Sequence, residues 1–187
     1  STGGTEAIRV VLQGLPQDVP AILIVQHMPA GFTRSFAGRL DQICANLSVK
    51  EAEEGDVLAR GQVLIAPGDR HMRVRRMRGK FQVELDDTAP INRHRPSVDV
   101  LFDSVAECAG PLAVGAILTG MGDDGARGLR RMRDTGAWTI AQDEATSVVY
   151  GMPGEAVRKE GAEIILPITA IAGEFLKRSQ HGALAAS

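Results

Sequence analysis

Leu112-Ala113-Val114-Gly115-Ala116-Ile117-Leu118 runs without a charge into the turn Thr119-Gly120-Met121-Gly122-Asp123-Asp124-Gly125, and Ala126, Leu129 and Met132 then recur at helical spacing. An uninterrupted apolar run of this length reads as a strand buried on both faces of a parallel sheet. Glycine-rich turns that open directly into an amphipathic helix are the joints of α/β units. Upstream, Ile22-Leu23-Ile24-Val25 ends in Gln26-His27, and Phe32, Phe36, Leu40 and Ile43 follow along one helical face. Ile8, Val11, Leu12 and Leu15 mark a first helix after Ser1-Thr2-Gly3-Gly4. Strand signals near Val49 and at residues 63–66, 138–141 and 163–166 alternate with helical patterns that include Val98–Val105, a short helix from Pro153, and Ile168–Phe175. Residues 71–86 change period: Met72 and Val74, then Phe81, Val83 and Leu85, alternate with polar residues around Arg78-Gly79. These patterns predict an α/β fold: a doubly wound, mostly parallel sheet with helices on both faces and an antiparallel hairpin appended.

The size, 187 residues, predicts one domain. It is expected to occupy 1–178, with 179–187 a flexible tail of small and polar residues. Aromatic content of 4% leaves little for base stacking, and a net charge of -2 argues against a general nucleic-acid or membrane binder. No apolar run approaches the roughly 20 residues that span a bilayer, so no membrane insertion is expected. The absence of a charged-then-apolar leader, with Cys44 and Cys108 read as buried thiols, predicts a reducing, cytoplasmic setting. The local basic cluster Arg73, Arg75, Arg76 and Arg78 is either a solvated face or a surface that steers an acidic partner.

In an open α/β sheet, ligands gather beyond the carboxyl ends of the strands, where strand order reverses. His27 and the Thr119–Asp124 turn both follow strands, and Ser1 precedes a helix through a glycine pair. A hydroxyl, an imidazole and a carboxylate in such positions are the parts of a serine hydrolase. The imidazole takes the hydroxyl's proton, and the carboxylate orients the imidazole. Among four histidines His27 is the best placed; His71 opens the hairpin, His94 lies in a basic loop, and His181 is in the tail. Asp123 or Asp124 could serve as the carboxylate, and backbone N–H groups near Met121 or after Ser1 could face an oxyanion. No recognised metal spacing is present and no cofactor is expected. Two other classes fit parts of the pattern: an N-terminal-nucleophile hydrolase using the Ser1 amine, and a non-catalytic phosphate- or nucleotide-binding module. GxSxG is absent, and the order Ser, His, Asp is not that of α/β-hydrolases.

The runs STGGTEAI (1–8), QHMPAGFTRSFAGRL (26–40), IAPGDRHM (65–72), NRHRPSVDVLF (92–102), ILTGMGDDGARG (117–128) and AQDEATSVVYGMP (141–153) carry a closer likeness. The sequence resembles the catalytic domain of the chemotaxis receptor protein-glutamate methylesterases, the CheB family. The resemblance implies a triad of Ser1, His27 and Asp124, with Asp123 at the family's variable position, Met121 associated with the oxyanion site and Thr2 beside the nucleophile. It further implies hydrolysis of glutamate γ-methyl esters on chemoreceptor cytoplasmic helices, with deamidation of receptor glutamines open to the same acyl chemistry. Family members carry an apolar strand before the serine and a receiver domain before that; neither is present in this sequence.

Overall fold

Successive strand residues point to opposite faces, and β1 (Ile22–Ile24) is apolar on both. In the computed structural model, which describes residues 3–179 and the backbone of 184–186, Ile22 and Ile24 enter one core while Leu23 and Val25 enter another. Ser1, Thr2 and His181 lie outside the described residues.

Around β1 the chain forms α1 (Gly4–Gln13), α2 (Phe32–Ile43), β2 (Ser48–Glu51), β3 (Gln62–Ile65), β4 (His71–Met77), β5 (Lys80–Asp86), α3 (Val98–Cys108), β6 (Val114–Ile117), α4 (Ala126–Asp134), β7 (Trp138–Gln142), α5 (Met152–Arg158), β8 (Ile164–Leu166), α6 (Ile168–Arg178) and β9 (Leu184–Ala186). Seven of the strands form one sheet in the order β2-β3-β1-β9-β6-β7-β8, and every pairing in it is parallel. Ile8, Leu12, Phe36, Leu40, Ile171 and Phe175, from α1, α2 and α6, fill one face; Leu101, Phe102, Leu129, Met132 and Ala156, from α3, α4 and α5, fill the other. From β1 the chain crosses to β2 at one edge and returns to β3 beside β1, whereas from β6 it winds through β7 and β8 toward the other edge, so the direction reverses between β1 and β6. That switch point locates the crevice.

Three elements differ from the pattern reading. The apolar run 112–118 becomes a strand only at Val114, because Gly110–Leu112, with Pro111, forms a 3-10 turn. The predicted tail contributes β9, which pairs with both β1 and β6. Strand pairing at this central slot satisfies two rows of backbone N–H and C=O groups, a demand stronger than the weak strand signal of Leu184-Ala185-Ala186.

The hairpin β4–β5 forms in the expected register about Arg78-Gly79, but it is not a free appendage. Met72, Val74, Val83 and Leu85 share the core of α3, and the backbone N–H of Val74 donates to Ser104 Oγ at 2.9 Å. Two of its arginines are paired with carboxylates across the turn, Arg73 with Asp86 (2.6 Å) and Arg75 with Glu84 (3.2 Å), while Arg76 lies over the Phe81 ring at 5.3 Å. Exposed pairs of this kind contribute roughly 0–1 kcal/mol each, yet each one offsets a positive charge in the long-range field that steering requires. Removing one whole pair, Arg75→Gln with Glu84→Gln, should therefore leave the salt dependence of association with an acidic partner within about twofold of the parent, read by stopped-flow over a salt series. A much flatter salt response in the double variant would restore the steering reading.

Candidate active site

Asp124 sits at the end of the turn after β6, and Gly125 makes its position attainable. Gly125 has φ +98, and a Cβ there would lie 2.7 Å from Val98 Cγ1. The close approach delivers the Asp124 carboxylate to the first turn of α3. Its Oδ1 accepts from Ser97 Oγ (2.8 Å), Asp99 N (3.2 Å) and Asn92 Nδ2 (2.9 Å). Its Oδ2 accepts from Val98 N (2.8 Å) and shares a 2.7 Å contact with His27 Nε2. Anions are favoured at a helix N-terminus, where unpaired N–H groups converge.

The Asp124 side chain has no exposed surface and that of His27 is 10% exposed. Burial alone pushes the Asp124 pKa upward, but hydrogen bonds from His27, Asn92, Val98 and Ser97 outweigh it and hold the carboxyl down at about 2. The group is thus ionised and can only accept, so His27 Nε2 carries the hydrogen between them. Of the two neighbouring aspartates, the structure brings Asp124 to the imidazole and leaves Asp123 exposed on the rim.

His94 was weaker as a sequence candidate, yet its ring stacks on His27 with centroids 3.6 Å apart and planes within 8°. Burial, and then the neighbouring His27, lowers its pKa. The packed stack therefore favours a neutral His94 beside the His27 imidazole. His71, by contrast, is fully buried: one ring nitrogen contacts Ala89 O at 2.9 Å and the other accepts from Ser97 N at 3.2 Å. It fastens the hairpin to the start of α3.

The turn between β6 and α4 is pinned from the far side. Gly120 O accepts from Gly151 N (3.1 Å) and Met152 N (2.8 Å), and Thr119 Oγ1 both donates to Val149 O and accepts from Val149 N. In a trans peptide the C=O and the following N–H point in opposite directions, so Met121 N–H is aimed away from the 149–152 loop. The Met121 side chain is 67% exposed and, with His27, Asn92, Arg93, His94, Gly122 and Asp123, lines a cleft of about 670 Å³. Gly4 is required on the α1 side: a Cβ there would stand 2.6 Å from the buried Gln26 amide. Among the described residues no group of three or more His, Cys, Asp or Glu side chains is arranged to hold a metal ion. No helix among them is long and apolar enough to cross a membrane.

The acid limb of stability should report this carboxylate. Because the Asp124 pKa falls from 3.8 unfolded to about 2 folded, its contribution of about 2 kcal/mol is present above pH 4 and lost as pH drops toward 2. Asp99, raised chiefly by burial, works in the opposite sense and blunts the loss. Urea midpoints at pH 5, 4 and 3 should fall more steeply for the parent than for Asp124→Asn; equal slopes would contradict the assignment.

Fold and site together define a doubly wound α/β domain with a buried imidazole–carboxylate pair at its switch point. The chain belongs to the CheB methylesterase family: the model of that description matches residues 1–175. It is 58% identical over 177 residues to the protein-glutamate methylesterase/protein-glutamine glutaminase 3 of Geobacter metallireducens, covering 95% of this chain and 50% of that protein. It is 54% identical over 182 residues to the corresponding protein of Salmonella typhimurium, covering 97% and 52%. The chain thus spans about half the length of the curated relatives it matches. The crystal structure of the Thermotoga maritima CheB methylesterase catalytic domain superposes with a TM-score of 0.91 at 41% identity, over 95% of this chain and 94% of that one.

Proposed function

We propose that this domain hydrolyses glutamate γ-methyl esters on the cytoplasmic helices of methylated chemoreceptors, through Ser1, His27 and Asp124. The observation that carries the reading is the 2.7 Å contact between His27 Nε2 and a carboxylate held by four further donors. Such a pair is a general base with its tautomer fixed. With Nε2–H on Asp124, Nδ1 is the ring atom that receives the Ser1 proton as Oγ attacks the ester carbonyl.

The tetrahedral oxyanion is met by the Met121 N–H and by backbone donors following Ser1 at Thr2. Collapse breaks the acyl–oxygen bond, His27 returns the proton to the departing methoxide oxygen, and methanol leaves. Water then repeats the sequence on the glutamyl-serine ester and releases a free glutamate. A receptor glutamine would follow the same path with ammonia as leaving group, in keeping with the double name of the relatives. The relatives' greater length supports a receiver domain as a partner of this domain, and receptor helices of that kind place the activity in the cytoplasm. No cofactor takes part in any step.

The test uses a receptor fragment carrying tritiated methyl esters at glutamate. Release of labelled methanol, blocked by a fluorophosphonate that becomes attached to Ser1, is the expected result. Methanol release that persists after complete labelling of Ser1, or no release at all, would overturn the proposal.

A further inference from the structure

Asn92 and Arg93 are consecutive residues in the left-handed region, with φ +53 and +67. Ile91 and His94 on either side exchange both backbone hydrogen bonds at 2.9 Å. This is the tight hairpin whose two central residues must both have positive φ, a conformation that asparagine tolerates and arginine rarely adopts. Left-handed non-glycine residues of this kind concentrate at functional sites. The hairpin stacks His94 on His27, and it turns the Asn92 amide inward.

That amide meets two carboxylates at once. Asn92 Nδ2 donates to Asp124 Oδ1 at 2.9 Å and to Asp99 Oδ2 at 2.6 Å. Asp99 is 2% exposed and takes no part in the proposed acyl transfer; its other close partner is Gly128 N at 2.7 Å, with Arg127 at 3.8 Å. An NH2 group has two hydrogens in one plane, one for each acceptor. Two buried carboxylates side by side otherwise repel, and one is driven to take up a proton.

We propose that Asn92 is a positioning residue for the His27–Asp124 pair: its amide bridges Asp99 and Asp124, keeping Asp124 ionised and aimed at His27. The inference rests on the proposed role of that pair but goes beyond it. The charged or titratable groups around Asp124 are His27 after β1, His94 in the hairpin, Asp99 at the start of α3, Asp123 in the turn, and Arg127 on α4 by way of Asp99. Of the groups hydrogen-bonded to Asp124 among the described residues, the Asn92 side chain is the one that also donates to Asp99. The Asp99 carboxyl is raised mainly by burial and partly by Asp124, and is lowered by Asn92, as a separating donor requires.

Asn92→Gly is the discriminating variant, because glycine keeps the left-handed turn while deleting the amide. Turnover should fall roughly 10- to 100-fold, the rate equivalent of one hydrogen bond to a charged group, with KM within about twofold. Adding Asp99→Asn removes the repulsion and should recover most of the loss. Imidazole ¹⁵N spectra at pH 8 should show His27 as the Nε2–H tautomer in the parent and as a tautomer mixture in Asn92→Gly. If Asn92→Gly fails to fold, Asn92→Ser, whose hydroxyl carries one hydrogen and cannot donate to both carboxylates, is read by the same spectra and kinetics. Parent-like turnover with a single His27 tautomer, or a drop in Tm alone, overturns the inference. An inactive parent would count against the esterase reading instead, while the ¹⁵N spectra would still decide the positioning role.

Discussion

Ser1→Ala should lower ester turnover roughly 10⁴-fold or more while leaving the unfolding transition unchanged. A hydroxyl at its ordinary pKa attacks only when a base removes its proton during bond formation, and alanine offers neither nucleophile nor proton. Ser1 stands ahead of α1, whose first residue, Gly4, lies against the buried Gln26 that immediately precedes His27. What survives in Ser1→Ala would be the contribution of the oxyanion donors and of binding. Methanol release from a methyl-labelled receptor fragment measures the loss, and activity within tenfold of the parent would end the triad assignment.

Asp124→Asn is expected to cost about 10⁴-fold in kcat, for a reason specific to its surroundings. Every group hydrogen-bonded to this carboxylate donates: Ser97 Oγ, Val98 N, Asp99 N, Asn92 Nδ2 and His27 Nε2. An amide has one acceptor atom for five donors, and its NH2 must face at least one of them. If it faces His27, it donates to Nε2 and moves the ring hydrogen to Nδ1, the atom that should accept the serine proton. If it faces α3, a buried donor goes unpaired at roughly 1–3 kcal/mol, so urea denaturation should show the variant destabilised by that order. Asp123→Asn, on the exposed rim, should stay within about twofold of the parent in both measurements. If the two aspartates behaved alike, the choice between them would be wrong.

The period of the apolar residues was enough to read the sheet, its helices and the hairpin, because burial on one face or two leaves a repeat in the sequence. Its limits lay where non-local partners decide. Leu184–Ala186 carries a weak strand signal and becomes a strand through pairing with β1 and β6. Arg73 and Arg75 of β4 read as part of a basic cluster, while their partners Asp86 and Glu84 sit across the turn on β5 and show only once the register is known. His94 sat in a run already singled out for its family likeness, Asn92 through Phe102, yet nothing local marks it as stacking on His27, 67 residues earlier by number.

By itself the sequence determined the α/β architecture, the family, and a short set of candidate residues at strand ends, since these follow from local periodicity and from motifs of contiguous residues. The family likeness already implied Asp124 over Asp123; tertiary structure alone decided that the carboxylate rests on the first turn of α3 and that Asn92 joins it to Asp99. The physical reason is distance along the chain: these contacts cross between elements, and a hydrogen bond has direction and length that no pattern of residue types encodes.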